Sequence, residues 1–301
     1  MEGNGEQMKA EKKVIVITGG TGGIGFQSAA QLAKMGNCIV VTGRNKQRGE
    51  EALKRLRSEN GNDDVHLIIG DLSEPSNIPA LAAELIEKYP SIDVLVNNAG
   101  YLALEHQVNS LGLEQSFATN VVAPVLLTNA LLPALRAAAP SRVINLTGGS
   151  PGSTLDVKNL NWSQKFSTFG VYNNSKRAME AASMAQARLL EKEGVFLNIV
   201  YPGAASTAMT RDMTSKALPF LLRPLWPLFS AIMQKNDNGK SAKKASQSTV
   251  WAVDAPELHK RSGLYHDMKI RKKKLTKHVN DTQNQEFVLS EVMKVHKQLR
   301  S

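Results

Sequence analysis

Short apolar runs punctuate this chain at 14 to 18, 38 to 42, 65 to 69, 93 to 97, 142 to 147 and 196 to 201, with a weaker one near Gly263-Leu264-Tyr265. Between them lie stretches of helical character, among them Lys46 to Ser58, Ser76 to Lys88, Leu111 to Ala138 and Val171 to Glu193. Strands alternating with helices predict an α/β fold in which a doubly wound parallel sheet of about seven strands is covered by helices on both faces. Pro124 and Pro133 should kink or shorten the helix that begins at 111, because proline lacks the N–H that a helix interior needs.

Two regions depart from this rhythm. In 204 to 235, Pro219, Pro224 and Pro227 interrupt an apolar string of Phe220, Leu221, Leu222, Leu225, Trp226, Leu228 and Phe229. Three prolines and Arg223 argue against a helix through hydrocarbon, so the segment reads as an active-site lid or an interfacial element. In the tail from Asp281, Phe287, Val288, Val292, Val295 and Leu299 recur at helical spacing and predict a packed terminal helix.

At 301 residues, 42% apolar and 5% aromatic, the chain can bury one large core, and a single domain over 14–270 is expected. It is preceded by a polar extension, 1–13, and followed by a basic segment and terminal helix, 271–301. The extension has neither the apolar core of a secretory signal nor the length of a membrane anchor. Cys38 is the one cysteine and lies in a strand run, so it offers no intrachain disulfide and no metal cluster, and it points to a reducing compartment, the cytoplasm. The formal charge of +10 gathers late, in Lys235, Lys240, Lys243, Lys244, the run Arg271-Lys272-Lys273-Lys274 and Lys277. Such a run reads first as a solvated face and second as a peripheral contact with an anionic membrane or lipid-droplet surface. No aromatic-interleaved or helix-turn-helix pattern supports nucleic acid.

The candidate chemistry begins at Thr18-Gly19-Gly20-Thr21-Gly22-Gly23-Ile24-Gly25, between the run Val14–Ile17 and an amphipathic segment ending at Met35-Gly36. Strand, glycine turn and helix in that order make a dinucleotide site, where a pyrophosphate approaches bare backbone at a helix N-terminus. At the end of the second strand an acidic residue would bind the ribose 2′-hydroxyl, whereas this chain has Arg44, with Asn45 and Arg48 close by, and a guanidinium favours a 2′-phosphate. NADP(H) is therefore favoured over NAD(H). Tyr172 and Lys176 lie one helical turn apart on one face of a helix.

The turn fits T-G-x-x-x-G-I-G, Tyr172-Asn173-Asn174-Ser175-Lys176 fits Y-x-x-x-K, and Asn97-Asn98-Ala99-Gly100 fits N-N-A-G, so the chain resembles the short-chain dehydrogenase/reductase family along nearly its whole length. From Arg142 through Asn159-Leu160 to the Gly-x-Tyr strand at 263 it is most similar to the retinol-dehydrogenase-like branch. The resemblance implies a Rossmann-type fold and an NADP(H)-dependent oxidoreductase. It implies that Tyr172 exchanges a proton with the substrate oxygen while the Lys176 ammonium draws its pKa toward working pH. Lys176 would also bond the nicotinamide ribose. It further implies that Asp71, beside Leu72, accepts from the adenine amino group, that Asn98, Ala99 and Gly100 line the cofactor cleft, and that Asn120 anchors a proton-relay water. Pro202-Gly203, with Thr207, resembles the P-G-x-x-x-T segment that meets the nicotinamide and diphosphate.

One family residue does not fall into place. Relatives carry a catalytic serine after the fifth strand, where this chain reads Asn145-Leu146-Thr147-Gly148-Gly149-Ser150. Counting from Asn145 puts Gly148 at the serine position; counting back from Tyr172 puts Thr147 there. Thr147 is preferred as the carbonyl-orienting hydroxyl, with Ser150 kept open. By family analogy the greasy lid faces a hydrophobic alcohol, aldehyde or ketone, retinoid, steroid or lipid-like, and the helices from 111 and 171 would supply a homodimer interface. The alternative is a cofactor-binding scaffold or sensor with weak or no catalysis.

Overall fold

The computed structural model describes residues 12–150, 152–162, 166–205, 207–218, 220–233, 237 and 239–300. Most of the 1–13 extension, and Pro219 and Lys235, lie outside the described residues. The strands are β1 (Val14–Ile17), β2 (Cys38–Gly43), β3 (Val65–Ile69), β4 (Val94–Asn97), β5 (Ser141–Leu146), β6 (Val195–Val200), β7 (Tyr265–His266) and β8 (Lys272–Lys273). They form one sheet in the order β3-β2-β1-β4-β5-β6-β7-β8, parallel except for β8, which pairs antiparallel with β7. The eighth strand lies in the basic run, which no apolar pattern could have revealed. Exposed lysines on an edge strand discourage pairing with another chain.

The helices are α1 (Gly23–Lys34), α2 (Lys46–Asn60), α3 (Ile78–Lys88), α4 (Gln115–Phe117), α5 (Ala123–Ala130), α6 (Leu132–Ala137), α7 (Thr168–Leu190), α8 (Ala208–Arg211), α9 (Trp226–Met233), α10 (Lys240–Asp254), α11 (Lys277–Asn280) and α12 (Thr282–Gln298). Alternate strand residues face opposite layers. Val16, Val40, Leu95 and Val143 join a core built with α3, α5, α7 and α12, while Ile15, Ile17, Ile39, Val41 and Ile144 join one built with α1, α2 and α10. Both faces of the sheet are covered, as the near-continuous apolar strands require.

The stretch from 111 is broken more finely than two prolines alone suggest. A π-turn, Ala118–Val122, separates α4 from α5, and Pro124 and Pro133 each sit in the first turn of a new helix, where a missing N–H does no harm. At the other end of the chain, Asp281 caps α12 by accepting from Gln283 N and Asn284 N, and Val288, Leu289, Val292 and Val295 are buried. Phe287, expected in this packed set, is 44% exposed instead, because the stripe that meets α7 runs through its valine neighbours. α12 packs along α7 and touches α5. The helices expected to offer a homodimer interface are thus partly occupied by a segment of their own chain.

The lid region is a chain of short helical turns. Met213, Ala217 and Leu218 are buried, but Leu222, Leu225, Leu228 and Phe229 are 46%, 55%, 70% and 42% exposed. No helix among the described residues is long and apolar enough to cross a membrane.

Candidate active site

The glycine turn is closely packed against the end of β4. Gly19 has φ +63°, and a Cβ on it would stand 3.0 Å from Ala99 Cα. At Gly25 a Cβ would come within 2.4 Å of Asn98 Nδ2 and 2.5 Å of Gly19 O. Asn98 closes this packing: its Nδ2 donates to the carbonyls of Thr18 at 2.8 Å and Gly19 at 3.2 Å, while Thr18 Oγ1 accepts from Asn98 N and Ala99 N. Asn97 works on the sheet, donating to Asn145 Oδ1 at 2.8 Å and Thr128 Oγ1 at 3.2 Å. α1 begins at Gly23 with no side-chain cap and no acidic residue in its first turn, so its N-terminal amides and dipole are left for an anion.

Above the carboxyl ends of the strands, at the switch between β1 and β4, opens a cleft of about 890 Å³. Gly19, Thr21, Gly23 and Ile24 line one end with Arg44, Asp71 and Leu72; Asn98, Ala99 and Gly100 form the floor; Pro202, Gly203 and Thr207 close the side toward the lid. Three expected cofactor or catalytic residues do not line it. Gly25 packs behind the turn. Asn45 is the N-cap of α2, accepting from Arg48 N at 2.9 Å. Asn120 sits in the π-turn with its carboxamide engaged by Tyr101 N, Tyr101 O and Ser175 Oγ at 2.7, 2.8 and 2.9 Å. Asp71 accepts from Ser73 N and Oγ, which braces its carboxylate at the cleft edge. The Arg44 guanidinium is exposed and has no hydrogen-bond or ion-pair partner among the described residues.

At the catalytic end, α7 brings Tyr172 and Lys176 to the cleft wall, helped by Ser167, whose Oγ caps the helix. Lys176 Nζ donates to Leu146 O at 3.2 Å and lies 5.9 Å from the centre of the Tyr172 ring. Burial pushes the Tyr172 phenol up to about 12, and the neighbouring Tyr201 adds to the effect. This corrects the expectation that Lys176 draws the phenol toward neutrality. Loss of water around the phenolate outweighs the ammonium, because Lys176 is itself buried and held down at about 8, with Glu180 alone pulling it upward. At neutral pH Tyr172 is therefore a phenol, a proton donor, beside a Lys176 that is still mostly an ammonium and reaches its midpoint near pH 8.

The loop after β5 places the expected hydroxyls differently from one another. Thr147 is buried, and its Oγ1 donates to Glu180 Oε1 at 2.6 Å. Ser150 is exposed, its N donating to Asn173 Oδ1 at 2.8 Å. Gly148 is the residue that faces the tyrosine: a Cβ there would stand 2.6 Å from Tyr172 Oη.

Sequence reasoning missed Arg177 and Glu180, a buried ion pair behind this loop. The sequence carries only a weak signal for them, the small apolar residues Ala178, Ala181 and Ala182 nearby, because the one-turn neighbours of Arg177 include the polar Asn173, Asn174 and Glu180. It also missed that Cys38 belongs to a group with Asp64 and His66 whose ligand-type atoms lie within 4.8 Å of one another. The group is remote from the cleft, its carboxylate pairs with Lys12 at 2.5 Å, and burial pushes the thiol up to about 12.

The chain is similar to known proteins along most of its length. A family model described as short chain dehydrogenase matches residues 13–218. Retinol dehydrogenase 13 of Homo sapiens is 34% identical over 85% of this chain and 76% of its own length. Polyprenol dehydrogenase of Mus musculus is 31% identical over 84% of this chain and 75% of its own. Among solved structures, the Pseudomonas aeruginosa RhlG/NADP active-site complex aligns with a TM-score of 0.62 at 26% identity, covering 86% of this chain and 95% of that one. An NADPH-bound carbonyl reductase from chicken fatty liver shares the fold, with a TM-score of 0.63 at 21% identity, covering 88% of this chain and 100% of that one.

Proposed function

From the premise that this chain belongs to the short-chain dehydrogenase family, on its retinol-dehydrogenase-like branch, and is an oxidoreductase acting on CH–OH groups, we propose that it transfers a hydride between NADP(H) and a hydrophobic alcohol, aldehyde or ketone. The observation that carries the reading is Tyr172 at the cleft wall, its hydroxyl against Gly148 and Lys176 on the next turn.

The residues present suit a 2′-phosphorylated dinucleotide. The uncapped N-terminus of α1 and the close-packed glycines leave room and positive potential for a diphosphate, and Arg44 offers an unpaired guanidinium where the adenosine ribose would lie. Thr207, which touches the Cβ position of Gly23, would close over the diphosphate, and Asp71 and Leu72 would hold the adenine. When bound, the nicotinamide supplies or accepts the hydride. Tyr172 gives its phenolic proton to the carbonyl oxygen during reduction and takes it back during oxidation. Lys176, half-protonated near pH 8, restores the phenol after each reduction. Asn120 steadies this pair through Ser175, whose hydroxyl also bonds Tyr172 O at 2.8 Å.

Substituting Tyr172→Phe is expected to lower kcat by roughly 10²- to 10⁴-fold while leaving NADPH affinity unchanged. Turnover retained in that variant overturns the assignment. Wild-type protein that binds NADPH and converts no member of a panel of hydrophobic aldehydes, ketones and alcohols is instead a cofactor-binding scaffold.

The substrate class follows from the lid. Of the expected lid, Ala204, Ala205, Thr207, Thr210 and Met213 line the cleft, whereas Leu222, Leu225, Leu228 and Phe229 lie outside its lining and form an apolar patch exposed to solvent; relatives of the chain include a retinol dehydrogenase and a polyprenol dehydrogenase. We assign a cytoplasmic protein that rests this face on an anionic lipid surface, with the basic late segment contributing attraction. Binding to vesicles containing phosphatidylserine should fall with added salt and with Leu228→Asp/Phe229→Asp. Equal retention on neutral and anionic vesicles removes the electrostatic part.

A further inference from the structure

Behind Tyr172 and Lys176 the chain buries a charged pair that the hydride-transfer chemistry leaves unused. Arg177 Nη1 donates to both carboxylate oxygens of Glu180, at 2.9 and 2.6 Å, and the two side chains are 8% and 0% exposed. The rest of the guanidinium reaches the loop after β5: Nη2 donates to Gly148 O and Nε to Ser153 Oγ, each at 3.1 Å. Glu180 takes the Thr147 hydroxyl at 2.6 Å, and Asn173 takes Ser150 N at 2.8 Å. Residues 147, 148, 150 and 153 are thus each fastened to α7, the helix that carries Tyr172 and Lys176.

Stability alone is a poor account of this arrangement. A buried ion pair loses about as much in desolvation as it gains in attraction, and apolar side chains of similar volume pack as well or better. Nor is a lone surface contact involved, because the pair ties one specific loop, at several points, to one specific helix. The neighbouring groups are few: Lys176 on α7, Thr147 on the loop, Tyr265 on β7, which senses both charges, and Tyr201 after β6, which faces Tyr172 and Tyr265.

We propose that Arg177 and Glu180 are positioning residues, which hold the 147–153 loop so that Gly148 backs onto Tyr172 Oη, turn the Thr147 hydroxyl away from the substrate, and set a negative charge beside Lys176. The proposal rests on the hydride-transfer reading of the cleft. Glycine at 148 is part of the same device, since any Cβ would stand 2.6 Å from the tyrosine oxygen. Thr147 lines the cleft, as does Ser150, but on this reading the proton of the Thr147 hydroxyl belongs to Glu180 and not to a substrate oxygen. Tyr172 meets the substrate oxygen without Thr147.

The test compares wild type with Arg177→Met/Glu180→Leu, Glu180→Gln and Thr147→Val. It measures thermal unfolding, kcat and KM across pH, and the titration of Lys176 by 15Nζ NMR, assigned by its loss in Lys176→Arg. The double variant removes both charges together and should unfold near the wild-type temperature. Its kcat should nonetheless fall on the order of 10²-fold, the scale of a misplaced reacting group, with KM for NADPH unchanged. The Lys176 titration should move to lower pH, because a carboxylate favours the ammonium form and its removal lets the proton leave earlier. Glu180→Gln, which keeps an acceptor for Thr147, should move the titration the same way even if it is less stable. Thr147→Val should give a smaller loss of kcat with a shift of the same sign.

A folded double variant with wild-type kcat and titration overturns the proposal. So does a Thr147→Val that loses roughly 10²- to 10³-fold in kcat with the Lys176 titration unmoved, which is the signature of a hydroxyl touching the reacting oxygen. The NMR titration needs no turnover, so the two readings fail separately. Wild-type protein that binds NADPH but converts nothing removes the hydride-transfer function, whereas an unmoved Lys176 titration in Glu180→Gln removes the positioning role.

Discussion

The two walls of the cleft are built from opposite materials. On the side of α1, polar contacts run between main chain and neutral side chains: Thr18, Gly19 and Asn98 bond one another, and glycines bring backbone against backbone. On the side of α7, the structure is carried by buried ionisable groups, Lys176, Arg177 and Glu180, with Tyr172 in front of them. The first wall is therefore sensitive to volume and indifferent to pH. The second is sensitive to charge, because each buried ionisable group depends on the protonation of the next.

The largest effect should come from the charged wall. Lys176 carries a folded-state pKa of about 8 against 10.5 in the open chain, so between those values the unfolded state binds more protons and stability rises with pH. Below pH 8 the buried ammonium weighs against the fold in full. Lys176→Met should therefore stabilise the protein at pH 7 by on the order of 3 kcal/mol, an advantage that fades as pH rises through 10, while abolishing turnover. Urea unfolding at pH 7 and pH 10 checks this, and equal stabilities at pH 7 would show that the ammonium is better solvated than its burial implies.

Next is the rim where the neutral wall meets solvent. On the proposed use of NADP(H), replacing Arg44 with Ser should remove a charge-assisted contact of about 1.5–3 kcal/mol and lower the kcat/KM ratio of NADPH over NADH by roughly 10- to 100-fold. An unaltered ratio would place 2′-phosphate recognition elsewhere.

The smallest effect tests the neutral wall itself. Gly25→Ala sets a Cβ 2.5 Å from Gly19 O, so it should destabilise by about 1–3 kcal/mol with no pH dependence across the neutral range. Gly22→Ala, where a Cβ meets nothing within 4 Å, is the matched control. Equal thermal midpoints for the two variants would mean that the turn relaxes freely and that the contrast between the walls is overstated.

How much was legible in the sequence follows the same division. The neutral wall was readable because its constraints are local: a glycine turn, a following helix and an N-N-A-G box each act within a few residues of themselves. Tyr172 and Lys176 were readable for the same reason, as two positions on one turn. Arg177 and Glu180 were not read, since an arginine three residues before a glutamate is the common pattern of a solvated helix face. Only the covering of α7 by the sheet, the 147–153 loop and α12 turns that pair inward. The pKa of Tyr172 failed for a related reason: the spacing reveals the ammonium but not the loss of water around both groups, and desolvation proved the larger effect.

The sequence by itself determined the alternation of strands and helices, the strand, glycine turn and helix that open the sheet, and the placement of Tyr172 and Lys176 on one helical turn, because hydrophobic period, glycine spacing and one-turn neighbours are properties of short segments. Tertiary structure alone decided which hydroxyl of the 147–150 segment is free, what sits beside Lys176, where the basic run goes as an edge strand, and what covers α7. Those outcomes depend on burial and on partners between 24 and 110 residues apart or more, as Arg177 to Ser153 and Arg142 to Ala252 illustrate, and distance along the chain carries no record of them.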